Sequence, residues 1–444
     1  MENNWRQKCH LEPESGWLND PNGLSYFGGY YQVYFQYSPE SALGKGKKCW
    51  GHWRSKDLLQ WEFTGTVLFP DIAEDRSGVY SGCGFVKDDL LYLFYTGNVK
   101  EEGDYDYIKA GRGANVILVT TKDGHHMSEK KVLLRNADYP ADMSCHVRDP
   151  KVWEEDGSYH MILGARRLDD TGCVLYYQSK DLIHWEFEKE DFVPDFGYMW
   201  ECPDVLKIGG KEYLSISPQG LSHETCRYQN VYSSGYFAPD HTFEEWDYGF
   251  DFYAPQSFTA PDGRKLFIGW MGIGDIPYSN PTVERGWQHC LTIPREITQG
   301  ADGKLLQNPI QELKSLRTDL HTFASEDIMA LAMPFELCGK PQGDFEIEFF
   351  DILQVRQKDG IFSLDFEDME VSGGRTSRNV ALPRCEEIRV LVDASSLEIY
   401  LNGGEKVLSS RFYPKDSRIS LTCHNLDGCI YELSGMEIVN TDVR

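Results

Sequence analysis

An all-β fold, a five-bladed β-propeller followed by a C-terminal antiparallel β-sandwich, is what this sequence predicts, on three observations. A unit of about sixty residues recurs through the first two thirds of the chain, aromatic residues make up 13% and glycines number 41, and the pattern changes near residue 305. A fixed period of this length, rich in turn formers and strand formers, is the mark of blades repeated around an axis.

The repeat is clearest in Ser55-Lys56-Asp57-Leu58-Leu59-Gln60-Trp61-Glu62-Phe63, which returns as Ser179-Lys180-Asp181-Leu182-Ile183-His184-Trp185-Glu186-Phe187. Weaker copies occur at Thr121-Lys122-Asp123-Gly124 and at Ala238-Pro239-Asp240 with Trp246, so that Asp57, Asp123, Asp181 and Asp240 step by 66, 58 and 59 residues. A second series opens each unit with a polar pair and two apolar runs around a turn: it begins at Asp20-Pro21, Ser81-Gly82, Asp149-Pro150, Pro203-Asp204 and Pro255-Gln256. A unit of this length holds four short strands with their turns, whereas solenoid repeats are shorter, so five blades are expected over residues 1–305.

Asn308-Pro309-Ile310-Gln311-Glu312-Leu313 then places Pro behind an Asn cap, with Ile310, Leu313 and Leu316 at helical spacing, which predicts a short helical linker over 306–324. Beyond it Phe345–Phe349, Ile388–Val392 and Leu397–Leu401 alternate or run apolar, the last leading into the Asn402-Gly403 hairpin signal. Residues 325–444 are therefore assigned to the sandwich. This tail shows no obvious cluster of His, Cys or carboxylates, which suggests a structural or carbohydrate-contacting role.

With 44 basic and 70 acidic side chains the net charge is −26, a surface that repels phosphate polymers and anionic lipid. Nucleic acid and membrane are not expected partners. The N-terminus has no apolar core of the signal-peptide kind and no run of about 18 apolar residues occurs, so the chain reads as cytoplasmic. Twelve scattered cysteines with no C-x-x-C pair read as reduced thiols.

In a propeller the first strand of every blade lines the central channel. The five polar pairs therefore bring Asp20, Ser81, Arg148 with Asp149, Glu201 with Asp204, and Gln256 to one mouth. Crowded carboxylates push a neighbour's pKa upward, and a protonated acid beside an ionised one is what glycoside hydrolysis uses.

Three blocks carry a resemblance. Trp17-Leu18-Asn19-Asp20-Pro21-Asn22-Gly23, Arg148-Asp149-Pro150 and Trp200-Glu201-Cys202-Pro203-Asp204 resemble, in order, the hallmark blocks of the invertases and fructanases of glycoside hydrolase family 32. Tyr34-Phe35-Gln36, Trp50-Gly51-His52, Tyr80-Ser81-Gly82, Ile268-Gly269-Trp270, Ile293-Pro294-Arg295-Glu296 and Val392-Asp393-Ala394-Ser395-Ser396-Leu397-Glu398 extend the likeness over nearly the whole chain. The resemblance implies a propeller with a sandwich and a retaining β-fructofuranosidase acting on sucrose, sucrose 6-phosphate or short fructo-oligosaccharides. It implies Asp20 as nucleophile, Glu201 as general acid/base, and Asp149 as transition-state stabiliser kept ionised by Arg148. Trp17, Asn19, Gln36, Tyr80, Ser81, Arg148 and Trp270 are the implied substrate contacts. No metal or organic cofactor is implied; the partner is a small carbohydrate, and a homo-oligomer is compatible with the sequence. The alternatives are an inverting arabinan- or xylan-type glycosidase and a non-catalytic sugar-binding propeller.

One stretch departs from the family pattern. Relatives place a tryptophan ahead of the Trp-Gly-His block where this chain has Gly44-Lys45-Gly46-Lys47-Lys48, and Trp53 is the candidate to replace that aromatic wall. The lysines lack the order of a nucleotide-binding loop, and in so acidic a chain they are candidates to meet a phosphorylated sugar at the mouth. Taken alone, Asp20 before Pro21 reads as a turn residue, Arg148-Asp149 as an ion pair and Cys202 as packing. The Ser-Lys-Asp-Leu and Trp units read as architecture. His125-His126 lacks ligand partners at metal-binding spacing, and Glu101–Asp106 reads as a solvated acidic insertion.

Overall fold

The computed structural model describes residues 4–440; residues 1–3 and 441–444, the outer ends of the expected propeller and sandwich spans, lie outside the described residues. The chain is all-β: its sheets are joined by 3₁₀ turns and, among the described residues, one α-helical turn, Met369–Ser372, capped by Asp368. The architecture is propeller-like in its N-terminal part and sandwich-like in its C-terminal part.

Five sheets form the propeller-like part, each an antiparallel meander. Their first strands are Gly16–Phe27 in sheet I, Gly78–Lys87 in sheet II, Met143–Glu155 in sheet III, Met199–Ile208 in sheet IV and Tyr253–Thr259 in sheet V. Each first strand touches the next, and that of sheet V touches that of sheet I. Sheet I is extended at both edges, by Trp287–Gln288 inside and by Glu437–Asn440 outside, each pairing in parallel. The last described strand thus returns to sheet I instead of ending in the sandwich, and it covers an edge that would otherwise expose unpaired backbone.

The repeated unit is a turn with a plug. Ser55 Oγ accepts from the backbone N–H groups of Asp57 and Leu58, and Asp57 Oδ1 from those of Leu59 and Gln60 at 3.0 and 2.8 Å. The indole of Trp61 donates to the carbonyl of Leu58 at 2.9 Å. Ser179, Asp181 and Trp185 repeat every one of these bonds, and Leu58 and Leu182 share the same φ of 66°. Two distant segments that need the same left-handed turn have kept the same side chains to cap it.

The expected helix is a 3₁₀ turn over Gln311–Leu316, and Pro309 ends the last strand of sheet V instead of opening a helix. The reason is visible in the spacing: Ile310, Leu313 and Leu316, all buried, recur strictly every third residue, the 3₁₀ period. The sandwich-like part is built on two long strands, Phe335–Phe349 and Arg418–Leu433, that pair with each other and carry shorter strands on either side. Phe345, Ile347 and Phe349 point into its core while Glu346 and Glu348 stay at the surface. The tail does cluster ionisable groups: ligand atoms of Glu346, Glu348 and His424 lie within 4.8 Å of one another. All twelve cysteines are free.

A buried charge network joins the two parts. Glu398, from the sandwich, accepts from His10 Nε2 at 3.1 Å, Arg295 Nη2 at 2.8 Å and the backbone N–H of Ile293 at 2.8 Å. Asp393 takes the other ring nitrogen of His10 at 2.8 Å, and Asp247 meets Arg295 at 3.2 Å. Family-like blocks of both parts, Ile293–Glu296 and Val392–Glu398, meet here.

Candidate active site

The five first strands share one irregularity at one level. The pairing register slips between Leu18 and Pro21, Val79 and Gly82, Arg148 and Lys151, Glu201 and Asp204, and Tyr253 and Gln256. Each slip is a bulge, which bends the strand and re-aims side chains that a regular pleat would point into the sheet. Pro150, Pro203 and Pro255 sit inside bulges, where the missing N–H breaks no ladder bond. Asp149, Cys202 and Ala254 adopt φ of 64°, 46° and 49°, a left-handed backbone that the bulges impose on residues with a Cβ.

Around these bulges lies one cavity of roughly 190 Å³ that Asp20, Asp149 and Glu201 all line. This is below the volume of pockets for drug-sized ligands and suits a single sugar ring. Asn19, Gln36, Tyr80, Ser81, Arg148 and Trp270 line it too, as the sequence predicts. Trp17 stands behind it, its indole donating to Asn19 Oδ1 at 2.9 Å and its ring 5.9 Å from that of Trp270.

Asp20 closes a hydrogen-bonded ring. Ser81 Oγ donates to Asp20 Oδ2, Asn19 Nδ2 to Oδ1 at 3.1 Å and to Gln36 Oε1 at 2.5 Å, and Gln36 Nε2 to Ser81 Oγ at 3.0 Å. Burial raises the Asp20 pKa above the usual carboxylate value; Ser81 and Asn19 pull it down, and Glu201 pushes it further up.

Glu201 is held from two sides. Arg148 Nε and Nη2 meet Oε1 at 2.9 and 2.7 Å, while Gln219 Nε2 and the Tyr253 hydroxyl meet Oε2 at 2.7 and 2.6 Å. The remaining Arg148 nitrogen donates to His146 Nδ1 at 2.9 Å, and burial with the adjacent arginine keeps that imidazole neutral, its pKa lowered to about 3.

Several expectations are corrected by this geometry. Arg148 is bonded to Glu201 and not to Asp149, whose Oδ2 instead accepts the Cys202 backbone N–H at 3.0 Å. Burial therefore dominates and raises the Asp149 pKa, with Arg148 opposing and Glu201 and Asp20 adding to the rise. Asp204 and Gln256 lie past the bulge, away from the cavity: Asp204 accepts from Lys151 and Ser257, and Gln256 donates to the Gly82 carbonyl. Trp53 does not replace the missing aromatic wall, since it is buried and stacked on Phe35 at 4.1 Å. Lys45 and Lys47 are exposed and do not line the cavity; Lys48 Nζ rests 4.9 Å from the Trp17 ring centroid. Sequence reasoning missed Arg112, Tyr232, Tyr253 and Gly274 of the lining, of which only Tyr253, two residues ahead of the Pro255-Gln256 pair, sits at a repeat start.

Residues 10–309 match the glycosyl hydrolases family 32 N-terminal domain and residues 356–432 the family's C-terminal domain. The chain belongs to glycosyl hydrolase family 32. It is accordingly a glycoside hydrolase. A curated relative, the sucrose-6-phosphate hydrolase of Bacillus subtilis (strain 168), is 36% identical over 440 residues, 92% of this chain and 89% of its own. The raffinose invertase of Escherichia coli is 36% identical over 452 residues, covering 94% and 91%. Among solved structures, a sucrose-6-phosphate hydrolase from Lactobacillus gasseri superposes with a TM-score of 0.86 at 27% identity, covering 97% of this chain and 93% of that one. A Bombyx mori family 32 β-fructofuranosidase, a mutant in complex with sucrose, does so at 0.84 and 29%, covering 98% and 95%.

Proposed function

We propose that the protein is a retaining β-fructofuranosidase that hydrolyses sucrose, sucrose 6-phosphate or short fructo-oligosaccharides, on five blades of one propeller whose first sheet takes in the Glu437–Asn440 strand, with the sandwich as its buttress. The observation that carries the reading is the meeting of Asp20, Asp149 and Glu201 in one single-ring cavity, each on a bulge of a different sheet.

In this reading Asp20, oriented by Ser81 and Asn19, attacks the anomeric C2 of the fructosyl unit. Glu201 gives its proton to the departing glycosidic oxygen, so the C2–O bond breaks as the bond to Asp20 forms. Glu201 then takes a proton from water, which attacks C2 and releases fructose with Asp20 restored. Asp149 accepts hydrogen bonds from fructose hydroxyls, and Trp270 offers an apolar face to the ring. The chemistry requires Asp20 ionised, which the Ser81 and Asn19 donors favour.

The test is release of fructose from sucrose, sucrose 6-phosphate, kestose and inulin, with Asp20→Asn and Glu201→Gln beside the native chain. Each variant should lose ~10³-fold or more in kcat, and proton NMR should show the β-anomer of fructose formed first. Near-native turnover in both variants, or first release of the α-anomer, refutes the assignment.

A further inference from the structure

Arg112 is the one cavity-lining cation that the catalytic geometry leaves unused. It opens the third strand of sheet II, Arg112–Thr121, directly after the acidic insertion. Its Nε donates to Asn98 Oδ1 at 3.1 Å, which fixes the plane of the guanidinium, and its two terminal nitrogens have no hydrogen-bond or ion-pair partner among the described residues. Nearby acids are already spent: Glu74 pairs with Arg135 at 2.9 Å, Glu101 with Arg76, and Glu201 with Arg148. In a chain of net charge −26, a half-buried arginine without a carboxylate, set beside a second arginine, marks a place for an anion brought from outside. Burial and Arg148 both lower its pKa, the direction expected of a cation whose counter-ion is missing.

Its position says which part of the substrate carries that anion. The guanidinium lies 5.9 Å from the Tyr80 ring centroid, and the carboxylate that acts on it is Glu201, whereas the fructosyl side of the cavity is taken up by the ring of Asp20, Asn19, Gln36 and Ser81. Glu201 faces the departing oxygen, so Arg112 borders the leaving group. We propose that Arg112 is a specificity-determining residue whose terminal nitrogens grip a phosphate ester on the leaving sugar, making the glucosyl-phosphorylated form of sucrose the preferred substrate over sucrose. This rests on the fructosidase reading above, and it moves phosphate recognition from the lysines of residues 45–48, which do not line the cavity, to an arginine that does. A planar pair of N–H donors matches two phosphate oxygens, and no bond is made or broken in this contact.

The experiment is the ratio of kcat/KM for sucrose 6-phosphate over sucrose in the native protein, in Arg112→Gln, in Arg112→Lys, and in a Lys45→Ala/Lys47→Ala control. The native ratio should exceed one, fall ~10-fold or more in Arg112→Gln, recover in part in Arg112→Lys, and stay at the native value in the lysine control. Product inhibition supplies a second readout: glucose 6-phosphate should inhibit the native protein more strongly than glucose or inorganic phosphate, and this advantage should vanish in Arg112→Gln. A native ratio near one, a ratio that survives Arg112→Gln, or equal losses on both substrates as a purely structural role would give, overturns the proposal. Failure of the native protein to hydrolyse either sugar would instead overturn the fructosidase reading itself.

Discussion

Replacing Glu398 by Gln keeps the shape of the buried network between sandwich and sheet V but removes its central charge. His10 and Arg295 then lose a partner at 3.1 and 2.8 Å, in surroundings with no access to water. Breaking a buried ion pair from one side costs about 3–5 kcal/mol. Asp393 still faces His10 and Asp247 still faces Arg295, so the lower end, ~3 kcal/mol, applies. For 444 residues the unfolding entropy is roughly 0.9 kcal/mol per kelvin, which converts the loss into a fall in Tm of about 3 °C if both parts unfold together. The pH dependence provides the sign. Burial alone would lower the His10 pKa, but Asp393 and Glu398 outweigh it and raise it to about 9. A folded-state pKa above the unfolded one means that the stabilisation is complete below pH 6.5 and disappears as pH climbs through about 9. Glu398 mirrors this: burial would raise it, yet Arg295 and His10 bring it to about 2, so its share is present above pH 4.5 and lost as pH falls through about 2. Both shifts describe one contact and count once. Calorimetry of the native chain and the variant across pH 5–10 is the assay, in which the native Tm should drop more steeply above pH 6.5 than the variant's. Because Glu398 does not line the cavity, fructose release at 25 °C should be unchanged. A variant Tm within ~1 °C of native at pH 6, or parallel pH profiles, would refute the reasoning.

Two further outcomes follow from the same kind of accounting. Ser81→Ala removes a donor that favours ionised Asp20, so the acid limb of the kcat/KM profile should move to higher pH; an unmoved limb would separate Asp20 from that titration. Asp57→Ala and Asp181→Ala each free two backbone N–H groups of a repeat turn and should cost about 1 kcal/mol apiece in urea titrations, with additive effects because the turns share no partner. Non-additivity would mean that the two repeats unfold as one coupled element.

How much of this was legible in the sequence depends on the distance over which the cause acts. The Ser-x-Asp-Leu turns were readable because each cap lies within three or four residues of the groups it satisfies. The apolar runs of the strands were readable because their periodicity is local, whereas the bulges at Asp149, Cys202 and Ala254 came only with the strand register. The linker was misjudged because a spacing of three fits a 3₁₀ turn and a helix almost equally well over six residues.

The polypeptide by itself determined an all-β chain, its sixty-residue period and the acids that begin its units, since these follow from side-chain pattern and backbone stereochemistry alone. Only the tertiary structure decided that Arg148 would serve Glu201 and leave Asp149 to a backbone amide, that Asp204 and Gln256 would fall below the cavity, and that Arg112 and Tyr253 would enter it. Those outcomes depend on which bulge faces which across the ring of first strands. Electrostatic pairing and desolvation act over a few ångströms of space whatever the separation along the chain, and no local pattern records them.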